Sequence, residues 1–156
     1  MIFQSTVFLL ALAILFQGVA VPSKFAAADC LTAVEKDRIS KEQNINSRIK
    51  IYRDVSERLH KVMLGSLAKQ DAGSVLPLLS CWKEHLTASL KDIEANINRK
   101  KRSGALIEFE IQLRKSIGDV NDARLKAPVE QNPQYQDWLA EANRVREQFV
   151  NIIFQR

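Results

Sequence analysis

Apolar side chains recur every three or four positions in four successive stretches of this chain, and that spacing is what a helix with one buried side requires. The first stripe is Ile45, Ile49, Tyr52, Val55, Leu59, Val62, Met63 and Leu67. The second is Val75, Leu78, Leu79, Trp82, Leu86, Leu90, Ile93 and Ile97. Leu106, Phe109, Leu113, Ile117 and Val120 make the third; Tyr135, Trp138, Leu139, Ala142, Val145, Phe149, Ile152 and Ile153 make the fourth. Ile107, Phe109, Ile111 and Leu113 also alternate as a strand would. The alternation stops at Leu113 while the helical spacing runs on to Val120, and a lone strand has nothing to pair with.

These stripes predict an all-α fold: an antiparallel four-helix bundle built from two helical hairpins, with a long first helix over 32–69. The hairpins span about 40–98 and 105–155, running up-down-up-down as in coiled-coil-like packing. Before Ile45 the first stripe fades, so the opening turns are expected to project or fray. Asp71, Ala72, Gly73 and Ser74 read as a turn with Ser74 as the next N-cap. Pro77 is then in a first turn, where its missing N–H costs little. At 99–104 a continuous helix would bury opposite faces in its two halves, about 160° apart at about 100° per residue, so a corner is expected. Pro128 and Pro133 bracket the last connection, with Asn132 as cap.

Residues 7–16 read VFLLALAILF. Ten apolar residues are too few to span a bilayer, which takes about 20, but they suit the core of a secretory signal. Pro22 breaks the run, and Ala26, Ala27 and Ala28 precede Asp29 as a small-residue cleavage site, with a cut after Ala20 as the rival. The expected organisation is a signal peptide over 1–28 and a four-helix domain over 29–156. Export to the periplasm or exterior follows, and an N-terminal membrane anchor is the alternative, because no Lys or Arg precedes the apolar run. A lipid-anchored Cys30 fits poorly with Asp29 before it.

Export invites a Cys30–Cys81 disulfide, but a continuous first helix argues against it. Cys81 would lie level with Met63, about 50 Å from Cys30 at 1.5 Å per residue, whereas a disulfide tolerates about 7 Å between Cα atoms. Pairing requires residues 30–42 to fold back.

The formal charge is +5, and basic residues mostly alternate with acidic ones along the helices rather than gathering on one face. Specific nucleic-acid binding is therefore not expected. Two His, two Cys and scattered Ser form no nucleophile elbow, no phosphate-binding glycine loop and no metal-ligand spacing. No catalytic residue, metal or cofactor is expected. His60 and His85 sit on opposite flanks of their stripes and are expected in solvent.

Four polar residues fall inside the apolar pattern: Arg48, Asn96, Glu110 and Arg146. An unpaired buried charge is costly, so an Arg48–Glu110–Arg146 network is expected, either as a structural tie or as a lining for a small anionic ligand. Arg99, Lys100, Lys101 and Arg102 form a basic run suited to an anionic surface or to offsetting a helix dipole. The leading expectation is a non-enzymatic exported interaction or structural protein whose partner is a protein or envelope component, touching the membrane only through its signal segment.

Overall fold

Thr32 opens the first helix. Its hydroxyl accepts from the Glu35 N–H at 3.2 Å, while the Glu35 carboxylate accepts from the Thr32 N–H at 2.8 Å. This reciprocal cap starts α1 (Ala33–Lys41), none of whose residues is buried. Glu42 leaves helical geometry, and Asn44 Oδ1 accepts from the N–H groups of Asn46 and Ser47. That second cap starts α2 (Ile45–Ala68). The helix expected over 32–69 is therefore two helices, because Glu42 ends the first and Asn44 caps the start of the second where the apolar stripe fades.

The computed structural model describes residues 30–154; the signal segment expected over 1–28 lies outside the described residues. After α2 come α3 (Ala72–Asn96), α4 (Gly104–Lys126), a short 3-10 turn (Val129–Gln131) and α5 (Asn132–Phe154). The fold is all-α, five helices packed against one another, with no strand among the described residues. Residues 106–113 are helical, and the chain breaks between Asn96 and Gly104 as the stripes required. Asp71, rather than Ser74, caps α3, accepting from the Ser74 N–H at 3.3 Å. The helix thus starts earlier than expected and carries Pro77 inside it.

Both α3 and α4 pack on α2, and both also pack on α5. Between them lies one core in which Trp82 and Trp138 meet at 4.5 Å and Phe109 and Phe149 at 5.0 Å. Each helix in such an arrangement has two neighbours, so its buried arc is wider than a single seam. Val62 falls outside that arc and is 47% exposed.

Cys30 and Cys81 are joined by a disulfide, with Cα atoms 5.4 Å apart. This corrects the expectation of unpaired thiols. The break at 42–44 lets α1 double back along α2, which removes the separation a straight helix would impose. Arg58 of α2 holds the returning strap, donating to both Glu35 carboxylate oxygens (2.7 and 2.8 Å) and to the Cys30 carbonyl (2.8 Å).

Candidate functional site

The four in-pattern polar residues divide into two separate clusters. Arg48 donates to Asp92 through Nε (2.9 Å) and NH2 (3.1 Å), and through NH1 to the Glu42 carbonyl (3.0 Å). The Tyr52 hydroxyl donates to the same carboxylate at 3.0 Å. Asn96, expected on the buried side, is exposed and donates to Asp92 Oδ1 (2.9 Å) and its carbonyl (3.0 Å). Burial, then the bond to Asp92, pushes the Tyr52 hydroxyl up to about 12, and the Asp92 bond raises Arg48 above its ordinary value.

The second cluster joins α4 to α5. Arg146 Nε donates to Glu110 Oε1 at 2.8 Å, with Arg114 at 3.6 Å from the other oxygen. Glu110 is buried and Arg146 is about a third exposed (34%). The expected Arg48–Glu110–Arg146 network is therefore corrected: Arg48 turns toward α3, and only the Glu110–Arg146 half forms. On α2, positions 48, 52 and 56 face α3, whereas Asn46, Arg53 and His60, seven apart, face α4, so Arg48 points away from Glu110. Asn46 meets Ser103, and Arg53 is ion-paired to Glu108.

Both histidines are buried, which corrects their expected placement in solvent. His85 Nε2 lies 2.9 Å from the Tyr52 carbonyl, so this nitrogen carries the proton. Burial, only partly countered by that carbonyl, lowers the ring from 6.5 to about 4. His60 stacks on Trp82 at 5.6 Å, and its Nδ1 lies 3.1 Å from Ser116 Oγ. Its Nε2 is 3.0 Å from Asp119 Oδ2, an ion-pair distance without hydrogen-bond alignment. Burial lowers His60 despite Asp119.

Ser116, His60 and Asp119 bring together the residue types of a hydrolase, yet their arrangement does not suit that chemistry. Ser116 Oγ is fully buried, receives the Gln112 side-chain amide at 2.9 Å and lies 3.1 Å from the Gln112 carbonyl. No substrate carbonyl reaches it, and a nucleophile must be reached. The cluster is a polar tie between α2 and α4. Sequence spacing did not reveal it, because its members lie 56 residues apart and meet only through helix packing. Among the described residues no group of three or more His, Cys, Asp and Glu side chains is placed to hold a metal ion.

A cleft of about 620 Å³ opens where α2 and α4 end, lined by Leu64, Leu67, Ala123, Pro128 and Tyr135 with Asp119 and Asp122 among its polar groups. Another, about 310 Å³, lies beneath the strap beside His85. Neither is lined by Arg48, Asn96, Glu110 or Arg146. Arg99, Lys100, Lys101 and Arg102 are exposed in the turn between α3 and α4. No described helix is long and apolar enough to cross a membrane.

No protein-family model, curated protein or solved structure matches this chain.

Proposed function

We propose that this chain is an exported four-helix bundle, made of an α2–α3 and an α4–α5 hairpin with α1 as a tied strap, that works as an interaction or structural protein rather than an enzyme. In this reading α3 and α4 stand at opposite corners, and residues 97–103 cross the end of the bundle between them. The observation that carries the reading is the Cys30–Cys81 bond, which anchors a strap with no buried residue of its own. Such a bond persists in an oxidising compartment, which accords with the apolar leader at 7–16. The packed interior supports a binding role, since its polar groups tie helices together. The outer side of α1, with Val34 68% exposed, remains available to a partner.

Mass spectrometry of the protein recovered from cell fractions tests the export half. The expected product is an extracytoplasmic chain beginning at Asp29, two hydrogens lighter than the dithiol form. A cytosolic chain retaining residues 1–28 with both thiols reduced would end the proposal. Site-specific cross-linking from position 34 tests the partner half, with one discrete adduct expected. The alternative, a small anionic ligand held by Arg48 and Arg146, requires displacing Asp92 and Glu110 from them, and neither cleft favours it.

A further inference from the structure

The turn between α3 and α4 presents Arg99, Lys100, Lys101 and Arg102 in a row, all exposed. This turn has a defined shape. The Lys100 N–H donates to Asn98 Oδ1 at 3.0 Å and the Lys101 N–H to the Asn98 carbonyl at 3.1 Å. Ser103 caps α4, and its hydroxyl donates to Asn46 Oδ1 of α2 at 2.6 Å. Beneath the turn, Ile97, Leu106, Ile152 and Ile153 close the space to about 10 Å³. All four basic residues line the rim of that space and remain exposed, and it is too small to enclose a ligand.

Lys100, Lys101 and Arg102 have no ion-pair partner among the described residues. The acid that follows the turn on α4, Glu108, is committed to Arg53, and Glu94 precedes it on α3. On α5, one residue past the Ile153 that underlies the turn, Phe154 is 76% exposed. Three cations with no ion-pair partner among the described residues, no room for an enclosed ligand and an exposed aromatic ring at the same end suit an extended anionic surface with an apolar layer behind it.

We propose that this end of the molecule docks on an anionic lipid bilayer, with the basic turn against headgroup phosphates and Phe154 at the boundary with the acyl chains. This names a partner for the interaction reading without resting on export, because it is measured on the isolated chain. A single short basic row with one aromatic does not make the stacking platform of a nucleic-acid groove.

Phe154→Trp supplies a reporter, read as the difference from the unsubstituted chain, whose Trp82 and Trp138 are buried. With vesicles containing phosphatidylglycerol, emission from the indole introduced by that substitution is expected to shift to the blue and to be quenched by brominated acyl chains. Phosphatidylcholine vesicles are expected to leave it unchanged. Affinity should weaken as salt rises through about 0.1 M. Each basic residue near an anionic leaflet is worth about fivefold, so Lys100→Glu, Lys101→Glu and Arg102→Glu together should cost roughly hundredfold or more. Both chains carry the same leader, so their difference reports the turn. Their circular dichroism melts should coincide; should the triple variant not fold, the corresponding three Gln substitutions give the same reading. Equal affinity for both vesicle types, undiminished binding by the variant, or binding to anionic vesicles with no change in the reporter's emission would each overturn the proposal. The last would indicate a general polyanion site.

Discussion

Arg58 and Glu35, 23 residues apart, form a two-pronged ion pair, with Nε and NH2 at 2.7 and 2.8 Å from the two carboxylate oxygens. The same carboxylate receives the Thr32 N–H that closes the cap of α1. Burial alone would raise the Glu35 carboxyl, but Arg58 and Thr32 hold it below its ordinary value. One side chain thus caps α1 and docks it on α2.

Because no residue of α1 is buried, the covalent tie should dominate its attachment. Cys30→Ser with Cys81→Ser opens a loop of 51 residues, and the chain-entropy relation puts the cost at about 4 kcal/mol as an upper figure. Amide exchange over 33–41 should rise toward that of a free peptide, while α2 to α5 stay protected. Unchanged exchange in α1 would show that the strap is held by packing instead.

Glu110→Ala should destabilise the fold by about 1–2 kcal/mol. A fully buried partner left unpaired would cost about 3–5 kcal/mol, but Arg146 is a third exposed and can turn its charge to water. Urea unfolding measures this, and a loss above about 4 kcal/mol would mean that Arg146 cannot relax.

Acid should weaken the protein before most carboxylates protonate. His85 titrates at about 4 when folded against 6.5 ordinarily, so below pH 6.5 the unfolded chain binds more protons than the folded one. Stability therefore falls as pH drops from 6.5 to about 4 and levels off beneath. At about 1.4 kcal/mol per unit this amounts to roughly 3 kcal/mol. His60, lowered in the same direction, adds to the loss. Glu35, Glu57 and Glu141, held below their ordinary value, add their loss as pH falls below 4.5. Denaturant midpoints between pH 7 and 4 test this; a flat profile would place both imidazoles in water.

Gln70 ends α2 at φ 57. The Asp71 N–H donates to the Ser66 carbonyl and the Gln70 N–H to that of Leu67, the bond pair of a left-handed helix stop where glycine is favoured. Gln70→Gly should stabilise by about 0.5–1 kcal/mol, read as a higher melting temperature. A lower one would mean that the Gln70 side chain contributes more than its backbone costs.

Most of the residues that called for burial by periodicity, from Ile49 through Phe149, are buried, while Leu67, Leu78, Ile97, Ile117 and Leu139 are only partly covered and Val62 is exposed. Their spacing reports only which side of a helix is apolar, and that side is set locally. The polar members of the pattern were legible as anomalies: Arg48, Glu110 and Arg146 do sit in ion pairs. Their partners were not legible, since Asp92 belongs to the solvent-side edge of its own stripe and gains its role only when α2 lies against it. The histidines failed for a related reason. A stripe marks the centre of a buried arc, and a second neighbouring helix widens that arc to include His60 and His85.

Helix type, the breaks near 70, 97–103 and 127–131, and most of the core-facing apolar residues were determined by the sequence alone, because capping groups and side-chain period act within a few residues. The break at 42–44 was not expected from the apolar stripe. The capping pair Thr32 and Glu35 and the cap Asn44 were present in it too, but that α1 turns back along α2 was decided only in the folded chain. Whether a helix projects or doubles back depends on contacts such as Arg58 with Glu35 and Cys30 with Cys81. Those contacts join residues tens of positions apart, beyond the reach of any local pattern.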